Sequence, residues 1–289
     1  LYSIIIPHKN NPELLNRLLI SIPCRDDLEI IVVDDNSDPS IVDFSNIPGL
    51  NRNNIKVIYN SGSFGAGSAR NKGMSVATGS WLIFADADDY FSPYFNEFLD
   101  KYSTDFSTEL VLLNACGVNS LGKTVGLKLN RYFNNYKKGR FYSEKVIRYN
   151  MWTPWTRMVR KDFVNKNKIR FESVSVGNDL LFGLECSKLA VNIKVETEIV
   201  YCYLLPWGRS ITEQHKKDIL NLEGEIALRF IQKGIYDEVG YVFKPVHLID
   251  ICKSTVDSVS RIEYLKRYFS ILKIKFNNNK NREDKYLPY

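Results

Sequence analysis

The sequence predicts an α/β protein built on a mixed, mainly parallel sheet flanked by helices, with a helical C-terminal appendage. Three observations carry this. Four short runs, "YSIIIP" (2–7), "EIIVVDD" (29–35), "IKVIYN" (55–60) and "SWLIFAD" (80–86), are rich in Ile and Val without polar alternation, as in strands buried on both faces. The segments between them carry helical signals, and the acidic residues gather where the strands end, the edge at which such sheets bind ligands.

The elements follow in order. Pro12 sits at a first-turn position after Asn11, and Leu14, Leu15, Leu18 and Leu19 recur at helical spacing. Residues 67–78 read as a helix closed by Gly79, and Pro93 opens another reaching Tyr102. From Glu109 two strand-like runs surround a turn at Leu121-Gly122-Lys123, which predicts an antiparallel hairpin. The segment "WTPWTRMVRKDF" supplies a further strand, "GNDLLFGLECSKL" a helix and residues 193–205 a last long strand. This gives one α/β domain, residues 1–212, with halves at 1–108 and 109–212, and a helical region at 213–289.

Composition narrows the class. With 289 residues, 44 % hydrophobic and 25 % charged, the chain can bury a sizeable core. The net charge of +6 is concentrated toward residues 266–280 and favours an anionic partner only weakly. The five cysteines lie far apart with no C-x-x-C pair, which argues against a zinc ribbon or disulfide framework and suits a reducing cytoplasm. No apolar run approaches the ~20 residues of a spanning helix, and Leu1 already opens a strand, so neither a spanning segment nor a signal peptide is expected.

The chemistry lies in the acidic turns. "FADADDY" (84–90) places Asp86, Asp88 and Asp89 directly after a buried strand. Hard cations such as Mg²⁺ and Mn²⁺ choose carboxylate oxygens, and crowded like charges without a cation are costly. The alternative is that Asp88, Asp89 and Ser92 cap the helix that Pro93 starts. Asp34 and Asp35 admit the same two readings, ligand contact or ordinary turn. In "NSGSFGAGSARNKG" (60–73), Gly62, Gly65 and Gly67 permit close backbone approach to a ligand while Arg70 and Lys72 add positive charge. Neither a dinucleotide fingerprint nor a P-loop is present. Asp179, after Gly177 and Asn178, starts a helix, either as a second carboxylate site or as a first-turn acid complementing the helix dipole.

Read together, "SIIIPHKN", "IIVVDDNSD", "GSARNKG", "WLIFADADDY", "PWTRMVRKDF", "SVGNDLLF" and "WGRSIT" resemble, in order, the family 2 glycosyltransferases of the GT-A fold. The resemblance spans residues 2–212. It implies an inverting transfer of a sugar from a nucleotide-diphosphate donor, with Mg²⁺ or Mn²⁺ as the divalent cation. By position it implies that Asp35 contacts the base, that Pro7, Lys9 and Asn10 line the nucleotide pocket, and that Arg70 contacts base or phosphate. Asp86 falls on the ribose side or at the metal, Asp88 at the metal, and Asp179 at the catalytic base. Trp155, Asn178 and Arg209 fall in segments facing the acceptor or the diphosphate.

Two positions depart from the family pattern. Lys9 stands where many relatives carry a tyrosine that stacks on the base, so an ammonium would meet the base face or a phosphate there. Asn178 replaces a glutamate and removes a charge beside Asp179.

The resemblance further implies a UDP-sugar donor, a glycan or lipid-linked saccharide acceptor and a place in capsule, lipopolysaccharide or exopolysaccharide synthesis in bacteria. A cytoplasmic enzyme is expected, with peripheral contact at the inner face of the plasma membrane. The competing readings are a sugar nucleotidyltransferase, which would carry a glycine-rich loop after the first strand where "PHKNNPELL" stands, and a non-catalytic nucleotide-sugar or glycan-binding protein.

The tail "RIEYLKRYFSILKIKF" places Ile262, Leu265, Phe269 and Leu272 on one helical stripe. That pattern fits docking to the protein's own core, or to a membrane surface, better than reading a nucleic-acid groove, so no nucleic-acid partner is expected. His8, His215 and His247 share no ligand spacing, and the aromatic residues are core by default, with an acceptor-side loop as the alternative for Tyr132, Phe133, Tyr136, Phe141 and Tyr142.

Overall fold

Strand β1 (Tyr2–His8) and strand β2 (Leu28–Asp34) are buried on both faces, and their alternation assigns each residue to one of two cores. Ile4, Ile6, Ile30 and Val32 point to one side, where Leu15, Leu18 and Leu19 of helix α1 (Pro12–Ser21) cover them. Ile5, Ile31 and Val33 point to the other, against Ala69 and Met74 of helix α2 (Ala66–Val76). Strands without polar alternation therefore mark a sheet covered twice, as their composition predicts.

The computed structural model describes residues 1–61, 65–140, 143–174, 177–205 and 266. The chain divides into two compact units, Leu1–Gly208 and Arg209–Tyr289. Within the second, Lys266 alone is described, exposed and helical. The expectations for Arg209, His215, His247 and the amphipathic tail fall outside the described residues.

The remaining elements of the first unit are β3 (Ile55–Tyr59), β4 (Trp81–Phe84), β5 (Tyr90–Phe91), α3 (Phe95–Tyr102), β6 (Leu110–Val118), β7 (Thr124–Val125), α4 (Asn130–Lys137), α5 (Ser143–Asn150), β8 (Arg157–Arg160), α6 (Lys161–Lys166), α7 (Leu180–Leu189) and β9 (Ile193–Leu204). The sheet runs β3-β2-β1-β4-β8-β6-β9-β5, with β7 paired to β6. Strands β3, β2, β1 and β4 are mutually parallel. Strand β8 is antiparallel to both of its neighbours, β4 and β6, while β6 and β9 pair in parallel. The chain winds outward from β1 to β3 and then crosses back to β4, so a crevice opens at the carboxyl ends beside β1.

Several local expectations needed correction. Helix α2 ends at Val76, two residues before the predicted stop, because Ala77 turns extended (φ −61°, ψ 135°) and no glycine cap is used. The predicted hairpin exists, but its second strand shrinks to Thr124–Val125. Residues 130–137 form helix α4 rather than a loop. Phe133 is fully buried, and Tyr132 and Tyr136 pack on the same core, because the aromatic spacing is helical. Cys116 and Cys202 face each other on paired strands with sulfurs 3.5 Å apart, and Cys24, Cys116, Cys186 and Cys202 are all free thiols. No helix among the described residues is long and apolar enough to cross a membrane.

Candidate active site

The carboxyl ends of β1, β2 and β4, the loop before α2 and the N-terminus of α7 meet at one edge of the sheet, and each supplies a polar side chain. Asp35, one residue past β2, is buried, and its two oxygens accept from Asn60 Nδ2 and from the Gly65 amide, both at 2.8 Å. Gly65 adopts φ +94°, a conformation open to glycine, and this aims its N–H at the carboxylate. Asp34 accepts from Ser37 and lies 3.6 Å from His8 Nδ1. His8 Nε2 accepts the Asn11 amide at 3.2 Å, which requires a bare lone pair, and burial lowers the imidazole pKa, so this histidine is neutral. Pro7 lies on β1. Lys9 is exposed beyond it, and Asn10 (φ +54°) ties to the β2 turn by accepting the Asp38 amide at 2.7 Å.

Arg70 on α2 is 5 % exposed, and both of its terminal nitrogens meet protein partners. Its Nη2 donates to Asp86 at 2.6 Å and its Nη1 to the Asn178 side-chain oxygen at 2.9 Å. Arg70 thereby links the β4 turn to the segment leading into α7. The glycine at 67 makes this approach fit. A Cβ there would lie 2.1 Å from the Glu172 carbonyl and 2.8 Å from Asn178 Cβ, so the close neighbour of Gly67 is the protein's own chain rather than a ligand. Gly62 lies outside the described residues.

The three acids of the β4 turn have separate surroundings. Asp89 is fully buried and accepts from the Tyr201 hydroxyl at 2.8 Å and the Leu204 amide at 2.7 Å. Burial, then the charges of Asp86 and Asp88, hold its carboxyl well above the usual range. Asp89 thus joins the turn to β9 instead of capping α3. Ser92 likewise donates to the Ile199 carbonyl, at 2.5 Å, and α3 has no side-chain cap. Asp88 stays exposed, yet neighbouring atoms displace enough of its water, and Asp86 adds enough negative charge, to push its carboxyl upward.

Asp86 and Asp88 are the residues able to hold a metal ion. Among the described residues no three His, Cys, Asp or Glu side chains form a complete metal cluster. Two hard carboxylates in one turn, Asp88 exposed and Asp86 half-buried against Arg70, would suit a divalent cation that keeps open positions for phosphate oxygens and water.

Asp179 stands at the N-cap of α7 without capping the helix through its side chain. The dipole reading explains only part of its setting. Burial pushes its carboxyl above the ordinary range, against the opposing pull of the Arg70 charge. Trp155 is 8 % exposed and lies nearly parallel to the rings of Tyr201 and Tyr203, with centroids 5.3 and 5.4 Å away, directly behind the acidic turn.

Sequence reasoning did not find Asn60, Arg17 or Tyr201. Arg17 donates to the Asp88 carbonyl at 2.5 Å, and the Tyr201 hydroxyl accepts the Asp86 amide at 2.9 Å. Asn60 directly follows β3 and could have been taken as a candidate from that position. Tyr201 lies in an ordinary apolar strand and carries no local signal.

Comparison with known proteins identifies the family and the fold. The family model described as glycosyl transferase family 2 matches residues 3–164. The uncharacterized glycosyltransferase YibD of Escherichia coli is 26 % identical over 201 residues, 68 % of this chain and 58 % of that protein. The poly(ribitol-phosphate) beta-glucosyltransferase of Bacillus spizizenii is 26 % identical over 211 residues, 70 % of this chain and 32 % of that protein. The chain therefore spans less than two thirds of the length of either relative. The crystal structure of S. aureus TarS 1–349 in complex with UDP-GlcNAc superposes with a TM-score of 0.60 at 21 % identity, covering 93 % of this chain and 72 % of that one, which shows a shared GT-A fold. With the family model covering more than half of its residues, the chain belongs to glycosyl transferase family 2.

Proposed function

We propose that this protein is an inverting sugar transferase that moves a sugar from a UDP-sugar to a hydroxyl of a glycan or lipid-linked saccharide, in the synthesis of a bacterial surface polysaccharide. The observation that carries the reading is the convergence on one sheet edge of Asp35, the Asp86–Asp88 turn and Asp179, with Arg70 bonded to Asp86 and to Asn178, the residue before Asp179. The names of the relatives support the donor and acceptor classes. TarS was crystallised with UDP-GlcNAc, and the B. spizizenii enzyme is named for transfer to a poly(ribitol-phosphate).

The roles follow from charge flow. Asp35 presents a buried carboxylate already aligned by two donors, suited to an N–H of the base. Asp86 and Asp88 would hold the divalent cation, which supplies charge stabilisation to the departing diphosphate when bound. Asp179 takes the proton of the attacking hydroxyl; its raised affinity for protons makes it a stronger base than an ordinary aspartate, and positioned proton transfer is worth about 10²–10⁴-fold. Trp155 and the rings beside it form an apolar backing for the turn. A cytoplasmic location, with peripheral contact at the membrane, suits a nucleotide donor and a lipid-linked acceptor.

A panel of nucleotide sugars tests the reading, with unfolding temperature and nucleotide release measured in Mn²⁺, in Mg²⁺ and in excess EDTA. One UDP-sugar is expected to stabilise the protein and to be slowly hydrolysed, with release abolished by chelation. Release that survives EDTA would remove the cation, and a panel that neither binds nor turns over would remove the function.

A further inference from the structure

We propose that Tyr201 is a positioning residue for the cation end of the donor site, acting through Asp89 and the backbone of Asp86; this rests on the transferase reading above. Tyr201 lies on β9, more than a hundred residues after the acidic turn, and is fully buried. Its hydroxyl serves both ends of the turn at once. It accepts the Asp86 amide at 2.9 Å and donates its single proton to Asp89 at 2.8 Å. The second oxygen of Asp89 accepts the Leu204 amide at 2.7 Å, and the turn closes on itself where the Asp89 amide meets the Asp86 carbonyl at 3.0 Å.

The ring of Tyr201 is held as firmly as its hydroxyl. Trp155 lies nearly parallel to it, at 11° and 5.3 Å between centroids, and Phe91 meets it edge-on at 5.4 Å. The backbone of Asp86 and the whole of Asp89 are thus committed to the protein. The side chains of Asp86 and Asp88 project from a turn anchored at both ends. Partners behind a metal-binding group fix its orientation, and removing one commonly costs about 10- to 100-fold in metal affinity. A carboxylate pair on a loose turn would first have to be ordered by the ion, and binding would lose the cost of that ordering.

Tyr201→Phe tests this, because it keeps the ring and its stacking but removes the hydroxyl. Free Mn²⁺ is counted by electron paramagnetic resonance in the presence of UDP, and UDP binding is measured separately without metal. The variant is expected to bind Mn²⁺ about tenfold more weakly in the presence of UDP and to bind metal-free UDP as the wild type does. Val200→Ala, one residue earlier in the same strand and fully buried, is the matched control. It should lower the unfolding temperature and leave Mn²⁺ affinity unchanged. Asp89→Asn, which retains an acceptor for the Leu204 amide, is expected to reproduce the Mn²⁺ defect should Tyr201→Phe not yield folded protein.

Wild-type Mn²⁺ affinity in Tyr201→Phe, or in Asp89→Asn where that variant stands in for it, overturns the proposal and leaves the transferase reading standing. A Val200→Ala variant as defective as Tyr201→Phe shows a general loss of packing and also overturns it. Wild-type protein that binds no Mn²⁺ with UDP overturns both.

Discussion

The Arg70 guanidinium spans Asn178 and Asp86, with Nη1 2.9 Å from the first and Nη2 2.6 Å from the second, and so joins the acidic turn after β4 to the residue preceding Asp179. Because Arg70 is 5 % exposed, the contact is shielded from water and salt more than a surface pair would be. One planar cation thus ties Asp86 to the immediate chain neighbour of Asp179.

Arg70→Ala should uncouple the two ends. Its loss leaves the Asn178 oxygen without its donor and removes the cation beside Asp86, which is expected to cost about 1–3 kcal/mol in urea unfolding and to lower kcat by more than KM rises. Arg70→Lys should recover little of either, since an ammonium cannot reproduce the two-pronged geometry.

Asp179→Asn is expected to lower turnover by about 10²–10⁴-fold while UDP binding, followed by thermal shift, stays at the wild-type level. The same variant should be the more stable protein at neutral pH. Burial raises the carboxyl in the folded state, so the folded protein binds its proton more tightly than the unfolded chain, and ionisation on raising the pH costs stability. The advantage of the amide is complete above the raised pKa, declines as the pH falls toward the ordinary aspartate value, and vanishes below it. Unfolding midpoints across that range read the sign directly.

Asn178→Glu tests the departure from the family pattern. The longer acid can still meet Arg70, but it places a second negative charge beside Asp179 and should raise that pKa further. The acid limb of the kcat profile is expected to move to higher pH, with maximal kcat largely preserved. An unmoved limb would show that Asp179 is not the group being titrated.

Gly67→Ala should be costly although the position lies in a helix, where alanine is ordinarily favoured. The new methyl would sit 2.1 Å from the Glu172 carbonyl, so either α2 or the backbone at Glu172 must move, at about 1–3 kcal/mol. Because Asn178 is part of the contact, the Arg70 link should loosen too, and transfer should fall more than stability alone explains.

The strands, most of the helices and the acidic edge were legible in the residues themselves. Ile-rich runs such as 2–7 and 29–35 have no polar face, so a doubly covered sheet is the arrangement that buries them. Acids placed immediately after such strands fall at the ligand edge by the handedness of the connections. Local chemistry also suggested Asp35, Asp86, Asp88, Asp179 and Arg70.

Tertiary structure alone divided the work among them. Asp86, Asp88 and Asp89 occupy one turn and look equivalent in one dimension. What separates them is a tyrosine 112 positions away that takes Asp89 into the interior. In the same way Gly67 reads as ligand-approaching until Glu172 and Asn178 come against it, and the aromatics from Tyr132 onward admit a loop until helix α4 finds a core to bury Phe133. Periodicity and turn chemistry are set by neighbours along the chain, whereas burial, hydrogen-bond partners and the resulting proton affinities depend on contacts between segments that no local pattern encodes.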